Sequence, residues 1–214
     1  MTREPTRAIQ TGLAALGYSI GAAGADGLFG PDTRGAAEAW LAAGGTARIP
    51  PSAPGSPVDP VTSAVIRQGA AGYAVDEIIV HCAATRADWM AGRPLAEKVA
   101  EIRRWHRAKG WRDIGYHWII DRDGKVLPGR PETAIGAHVA SHNRGTIGIC
   151  LLGGHGSSET DPFARNYTPQ QDITLRQMIA AIGLRTAIKR ISGHNEYAAK
   201  ACPGFDVSTW LKGA

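Results

Sequence analysis

Two side chains near the end of the chain are of types that could bind a metal ion together. His194 follows a short strand-like segment, and Cys202 stands eight residues later in a Pro-Gly turn. Imidazole nitrogen and thiolate sulfur are ligands that zinc accepts. His81, at the end of a buried strand pattern, can supply a third ligand if the two strand ends are adjacent. Three protein ligands with water in the fourth position would make a catalytic rather than a structural zinc site.

Each of these residues, taken alone, also has a more ordinary interpretation. A single histidine at a strand end usually makes structural hydrogen bonds, and a single cysteine usually packs in the core. The spacing by itself therefore leaves a metal site and a purely structural role both open.

The elements that must position these residues have a mixed α and β pattern. Continuous apolar segments at residues 77–82 and 146–152 predict buried strands. The pair Asp123-Gly124 between two strand patterns predicts a hairpin, and a capping box at residues 168–171 opens a helix. We expect an α/β fold: a mixed central β-sheet flanked by helices, with the metal in a groove at the strand ends.

A proline-rich segment separates this domain from a smaller one. Five of the thirteen prolines fall within residues 46–62, which favours a semi-extended spacer over helix or central strand. Upstream, two helical patterns flank a glycine-containing turn. The sequence thus predicts a small all-α module at residues 1–45, a linker at residues 46–70 and the α/β domain at residues 71–214.

The charge of the chain is unevenly distributed. The net charge is +5; residues 71–214 carry nineteen Lys and Arg against fourteen Asp and Glu, whereas residues 1–45 carry three against four. The C-terminal part would therefore favour an anionic partner. Nucleic acid is not expected to be that partner, because the sequence has no helix-turn-helix, zinc-finger or basic-region signature.

The three cysteines and the N-terminal residues indicate the cellular compartment in which the protein is made. Three cysteines cannot all pair, which suits a reducing cytoplasm. Arg3 and Arg7 precede a moderately apolar run, but Glu4 stands in the would-be basic region and polar residues interrupt the run, so no cleaved signal peptide is expected. No stretch approaches the roughly 20 apolar residues of a transmembrane helix.

Five segments of the C-terminal part together resemble a known family. They are VDEIIVHCAAT, EIRRWHRAKGW, DIGYHWIIDRDGKV, GAHVASHNRGTIGICLLGG and GHNEYAAKACPGFDV. In order and approximate spacing they are similar to the zinc-dependent N-acetylmuramoyl-L-alanine amidases of the phage endolysin type, whose fold animal peptidoglycan-recognition proteins share. The likeness extends from about residue 75 to residue 211.

The resemblance implies a substrate, a metal and a set of residues. The substrate would be bacterial peptidoglycan, cut by zinc-activated water at the amide between the lactyl group of N-acetylmuramic acid and L-alanine. One Zn²⁺ ion per chain would be held by His81, His194 and Cys202, with Tyr116 and Lys200 as catalytic residues that do not bind the metal. Because a thiolate leaves the site less positive than a third histidine would, the cation of Lys200 would offset that difference.

The same resemblance, together with sequence position, predicts roles for the remaining histidines and cysteines. His138 resembles a substrate-binding position in the groove. Residues His106, His142 and His155 are interpreted as exposed or loop histidines without a role. Cys82 and Cys150 are predicted core thiols, since alternation along a strand places Cys82 on the face opposite His81.

The N-terminal module resembles the helical peptidoglycan-binding domain that many wall hydrolases carry. The turn from Asp26 through Phe29 and the aromatic Trp40 carry the likeness, which implies these three as residues of a wall-binding module, the two aromatic ones packing its core. Because the module is slightly acidic, wall binding would depend on shape and hydrogen bonds. The alternative is a spacer or stabilising domain.

The sequence therefore predicts a monomeric endolysin-type amidase. It would be made in the bacterial cytoplasm without a signal peptide and would reach the wall after membrane permeabilisation. A cytoplasmic amidase that recycles muropeptides and a non-catalytic peptidoglycan-recognition protein are the alternatives. A second role as a regulatory binder of another protein is neither supported nor excluded.

Overall fold

The computed structural model describes residues 10–14, 18–24, 26, 28, 30–42 and 65–213. The chain divides into two compact units, Met1–Asp59 and Pro60–Ala214. Phe29 and most of the predicted linker lie outside the described residues.

The N-terminal unit has helices on both sides of its turn, as the sequence predicted. Residues 10–14 form α1, and α2 is Pro31–Ala42. Pro31 stands at the start of α2, where its missing N–H leaves no helix hydrogen bond unmade. The described core of the unit consists of Leu13, Tyr18, Ala36 and Trp40.

The C-terminal unit contains a small two-stranded sheet and a five-stranded mixed sheet. Strands β1 (Arg67–Gln68) and β2 (Tyr73–Ala74) pair antiparallel. The larger sheet has the order β5-β4-β6-β3-β7. Its strands are β3 (Glu77–Cys82), β4 (Trp118–Ile120), β5 (Val126–Pro128), β6 (Thr146–Leu151) and β7 (Arg190–Gly193). All its neighbours run parallel except the β4–β5 hairpin.

Helices cover both faces of the larger sheet, which is why β3 and β6 are continuous apolar runs rather than alternating ones. The helices are α3 (Leu95–Ala108), α4 (Phe163–Asn166), α5 (Pro169–Gly183) and α6 (Val207–Leu211). Ile147, Ile149 and Leu151 of β6 pack on the face covered by α5 and α6. The alternate residue Cys150 packs on the face covered by α3. None of the helices among the described residues has the length and apolar character that a membrane span requires.

The local signals in the sequence are found where they were predicted. The Asp121 N–H donates to Lys125 O at 2.8 Å in the hairpin turn, and Gly124 has a φ of +82° there. Thr168 caps α5 with the reciprocal contacts of a capping box, and Pro169 is the first helical residue.

The end of the predicted linker is part of the α/β unit. Gln68 is fully buried; its amide donates to Thr146 O at 2.9 Å, and its Oε1 accepts from Gly145 N at 3.0 Å. A glutamine so bonded anchors β1 beside the start of β6. The sequence pattern could not reveal this anchoring, because its partners lie 77 and 78 residues away along the chain.

Candidate active site

The parallel pairing of β3 with β7 brings two histidines together. Val80 is paired with Gly193, so His81 and His194 are the next residues along the two strands. After Gly193 the chain turns into a short 3-10 helix, His194–Glu196. The two Nδ1 atoms face each other at 3.2 Å. The adjacency on which the three-ligand hypothesis depended is therefore present.

Cys202 returns to the same point through backbone hydrogen bonds. The Asn195 N–H donates to Cys202 O at 2.7 Å, which closes the loop between the two potential ligands. Cys202 Sγ lies 3.9 Å from His81 Nδ1 and accepts from the Cys82 N–H at 3.2 Å. The contact with the Cys82 side chain and burial raise the pKa of Cys202 well above its ordinary value, and the Cys82 N–H opposes this only in part. Cys202 would therefore give up its proton on binding a metal, as thiol ligands do.

The spacing of these three atoms fits a tetrahedral zinc ion. Zinc bonds of about 2.0–2.1 Å to nitrogen and about 2.3 Å to sulfur at tetrahedral angles separate two nitrogens by about 3.3 Å, and nitrogen from sulfur by about 3.6 Å. The ligand atoms of His81, His194 and Cys202 all lie within 4.8 Å of one another. Within the part of the chain that the structure describes, these three residues are the one cluster of histidine, cysteine or acidic side chains close enough to hold a metal ion together. The donor types and the spacing of these atoms are compatible with a zinc ion held by three protein ligands.

The electrostatics of the two histidines suit ligation. Burial, with the neighbouring His138 and His194, lowers the pKa of His81 well below its ordinary value. Burial and the Lys200 cation lower the pKa of His194. Both imidazoles are thus neutral at neutral pH, and a neutral imidazole is the form that binds metal.

A groove opens beside this cluster and is lined by two of its three residues, His194 and Cys202. One cavity of about 460 Å³ adjoins another of about 260 Å³ that includes Cys202. The residues that line both cavities are His106, Lys109, Tyr116, His194 and Lys200. The groove is therefore lined by aromatic and cationic side chains, which suits a substrate with sugar rings and carboxylates.

Tyr116 and Lys200, for which the resemblance implies catalytic roles, both line this groove. The Tyr116 ring lies 5.2 Å from that of His81. Burial, reinforced by the nearby cysteines, raises the pKa of Tyr116 well above its ordinary value, so the hydroxyl keeps its proton and can donate. Lys200 is exposed at the groove.

His138 lines the groove but is almost fully buried. Only 6% of it is exposed, and its Nδ1 lies 3.0 Å from His81 Nε2. The residue predicted to contact substrate is therefore also a direct neighbour of a potential metal ligand.

His106 is a groove residue that the sequence interpretation missed. It is 6% exposed, on α3, and its Nδ1 accepts from the Gly115 N–H at 3.0 Å. Burial, with Lys109 and Arg130, lowers its pKa to about 4. The signal was available, because His106 follows Ile102 by four residues and continues the apolar stripe of α3.

The other histidines and cysteines lie as predicted. His142 and His155 are exposed. Cys82 and Cys150 are buried, and Cys82 packs on the sheet face that carries Ile78 and Val80, away from His81.

The N-terminal residues assigned to wall binding have structural contacts within their own unit. Trp40 is 8% exposed and packs against Leu13 and Tyr18. The Asp26 carboxylate accepts from the Leu28 N–H at 2.9 Å and from the Gln10 amide at 2.8 Å. Both residues therefore shape the module.

Comparison with known proteins places this site in context. The family described as N-acetylmuramoyl-L-alanine amidase matches residues 71–205. The endolysin of Escherichia phage T7 is 42% identical over 135 residues, which cover 63% of this chain and 84% of that protein. Peptidoglycan-recognition protein SC2 of Drosophila melanogaster is 28% identical over 162 residues, 69% of this chain and 80% of that protein.

Solved structures confirm the mixed-sheet fold. The N-acetylmuramoyl-L-alanine amidase LysC from Clostridium intestinale URNW has a TM-score of 0.53 at 25% identity and covers 65% of this chain and 83% of its own. Drosophila PGRP-LB has a TM-score of 0.54 at 22% identity, with coverage of 70% and 85%, and shows likeness of fold alone.

Proposed function

The chain belongs to the N-acetylmuramoyl-L-alanine amidase family, and from that membership we propose how its groove works as a zinc-dependent active site. The protein is a peptidoglycan hydrolase of the endolysin type. The bond it cuts joins the lactyl group of N-acetylmuramic acid to the L-alanine of the stem peptide. The observation that carries the zinc proposal is the convergence of His81, His194 and Cys202 beside a groove that Tyr116 and Lys200 also line.

In the proposed mechanism the metal and the surrounding side chains have different roles. When bound, zinc would supply Lewis acidity, which polarises a carbonyl and lowers the pKa of water to about 7. His81, His194 and Cys202 would hold the ion as its three protein ligands. The chain's other groove residues then act on the substrate.

Two side chains are proposed to act on the reacting amide directly. As water adds to the carbonyl carbon, negative charge develops on the carbonyl oxygen, and the Lys200 ammonium group would stabilise it. Tyr116 keeps its proton because burial raises its pKa, so its hydroxyl can donate a hydrogen bond or help relay a proton to the departing amine of L-alanine. The lone pair of that amine takes the proton, and the C–N bond breaks.

Metal removal gives the first test. We expect dialysis against a strong chelator to abolish release of stem peptides with a new N-terminal L-alanine from purified peptidoglycan, and one equivalent of Zn²⁺ to restore it. Mass spectrometry of the soluble products, with metal content determined on the same samples, measures both. Full activity in a metal-free sample would contradict the zinc proposal.

The same product assay distinguishes an endolysin from the two alternative functions. A recognition protein would bind the wall and hold zinc without releasing peptide. A recycling amidase would cleave soluble muropeptides but spare intact sacculi. The endolysin relatives favour cleavage of the wall itself.

We further propose that residues 1–45 form a peptidoglycan-binding module tethered by the proline-rich segment. Its support is the sequence resemblance and a described core built from Leu13, Tyr18, Ala36 and Trp40. Since Trp40 and Asp26 shape the module from within, wall contact would come from its other surfaces.

Removal of residues 1–45 tests the module. The shortened chain is expected to cosediment with sacculi at least about 10-fold more weakly, because a tethered second site raises avidity. The assay is performed with chelator present so that the wall is not digested. Cleavage of soluble muropeptides should be unchanged, which controls for folding. Equal cosedimentation of both chains would favour the spacer alternative.

Location and oligomeric state complete the proposal. We propose a monomer that is made in the bacterial cytoplasm and acts on the wall after the membrane has been permeabilised. The similarity to phage endolysins supports this route.

A further inference from the structure

His138 occupies a cradle built from backbone atoms and glycines. The backbone N–H groups of His138 and Val139 donate to Asn143 Oδ1 at 2.7 and 3.0 Å, which fixes the loop. A Cβ on Gly148 would lie 2.6 Å from the Cγ of His138, and one on Gly136 would also collide with the ring. Only glycine at these positions leaves room for the imidazole where it stands.

A chain of hydrogen bonds leads from the main chain through His138 to the metal site. The Thr146 hydroxyl donates to His142 O at 2.9 Å, so its oxygen is left to accept. His138 Nε2 lies 3.3 Å from that oxygen and His138 Nδ1 lies 3.0 Å from His81 Nε2. Thr146 and His138 are 4% and 6% exposed, so water does not compete with these contacts.

The direction of each hydrogen bond in this series follows from the carbonyl oxygen of His142, at which the series ends. A carbonyl oxygen can only accept, so Thr146 donates to it and His138 Nε2–H donates to Thr146. His138 Nδ1 must then accept, and His81 Nε2–H is its donor. That tautomer leaves the lone pair of His81 on Nδ1, the atom that faces His194 and Cys202.

We propose that His138 is a positioning residue: together with Thr146, it fixes the tautomer and the ring orientation of His81 and so prepares Nδ1 to bind the metal. The inference rests on the proposed zinc site and adds to it the residues that orient one ligand. Metal-binding histidines commonly donate their second N–H to an acceptor in this way, and loss of the acceptor costs about 10–100-fold in metal affinity.

The competing role for His138 is direct contact with substrate. His138 does line the groove, but its Nδ1 is taken by His81 and its Nε2 faces Thr146. With both nitrogens occupied inside the protein, the ring has no free polar atom to offer a ligand. The geometry thus favours orientation of His81.

Three substitutions in the full chain separate the two roles. Asparagine places Oδ1 where histidine has Nδ1, so His138→Asn keeps the acceptor for His81; glutamine does not, so His138→Gln loses it. Thr146→Val removes the anchoring hydroxyl from a residue that lies outside the groove lining. Zinc affinity is measured by chelator competition, and the His81 tautomer by long-range ¹H–¹⁵N correlation spectra of the histidine rings.

The expected order of zinc affinity tests the proposal. His138→Gln should bind zinc about 10–100-fold more weakly than the wild type, Thr146→Val should also weaken binding, and His138→Asn should recover most of it. In the metal-free wild type, His81 should carry its proton on Nε2. In metal-free His138→Gln and Thr146→Val, His81 should exchange between its two tautomers. The exposed His155, as His155→Gln, is the matched control and should change neither readout.

A different pattern would overturn the inference. If His138→Gln and Thr146→Val bound zinc as tightly as the wild type with the His81 tautomer retained, while His138→Gln raised KM, His138 would contact substrate. Well-dispersed amide spectra of each variant exclude unfolding. Failure of the wild type to release stem peptide would contradict the amidase mechanism instead, and would leave the tautomer measurement intact.

Discussion

The substitution Cys202→Ser is expected to remove both zinc and amidase activity. A serine hydroxyl does not ionise near neutral pH, so the substitution takes away an anionic ligand and leaves two histidines. Loss of the ion removes several kcal/mol of transition-state stabilisation, which corresponds to a fall of about 1,000-fold or more in kcat/KM. Metal analysis and the rate of stem-peptide release measure the two losses.

A second substitution at the same position distinguishes ligand loss from local disruption. Cys202→Asp restores an anionic oxygen ligand that zinc accepts and is expected to recover part of the zinc content and part of the rate. Cys150→Ala, which removes a buried thiol outside the three-atom cluster, should keep its zinc. Zinc retained at full stoichiometry in Cys202→Ser would show that Cys202 is not a ligand.

The substitution Lys200→Met is expected to lower kcat by about 100–1,000-fold with little change in zinc content. Removing one donor to a developing oxyanion has an effect of this size, and methionine keeps the apolar stem of the lysine. Because a Cys202 thiolate would reduce the positive charge of the proposed metal site, the Lys200 cation should matter more here than beside three histidines. Initial rates on soluble muropeptide, fitted for kcat and KM separately, give the measurement.

The control for this substitution is another exposed lysine. Lys212→Met, at the end of α6, changes the same charge away from the groove and should leave kcat unchanged. A rise in KM with kcat preserved would mean that Lys200 binds the ground state of the substrate. A loss of zinc in Lys200→Met would assign it a role in holding the metal.

Much of the C-terminal domain could be predicted from sequence because its signals are local. The buried strands at residues 77–82 and 146–152, the hairpin at Asp123-Gly124 and the capping box at Thr168 each depend on neighbouring residues. The metal-ligand hypothesis was also predictable, since His194 and Cys202 lie in one loop and their types suit zinc.

Where local signals were ambiguous, tertiary contacts decided. His106 continues the apolar stripe of α3, but histidine is polar and the stripe alone did not decide between a buried and an exposed ring. The tertiary structure buries it and gives its Nδ1 the Gly115 N–H as a partner. Residues 67–70 were predicted to be the end of the linker, and only the distant partners of Gln68 fix them in the domain.

The sequence by itself determined the kinds of ligand, the strand and helix pattern, and the family. Only the tertiary structure decided that the ends of β3 and β7 meet, because the parallel register joins residues more than a hundred positions apart. The loop before β6, which Asn143 fixes, sets His138 Nδ1 3.0 Å from His81 Nε2. The positioning role proposed for His138 depends on this contact, which no sequence spacing could reveal. Sequence fixes which atoms can bind or donate, whereas hydrogen-bond direction depends on where each buried group finds its partner.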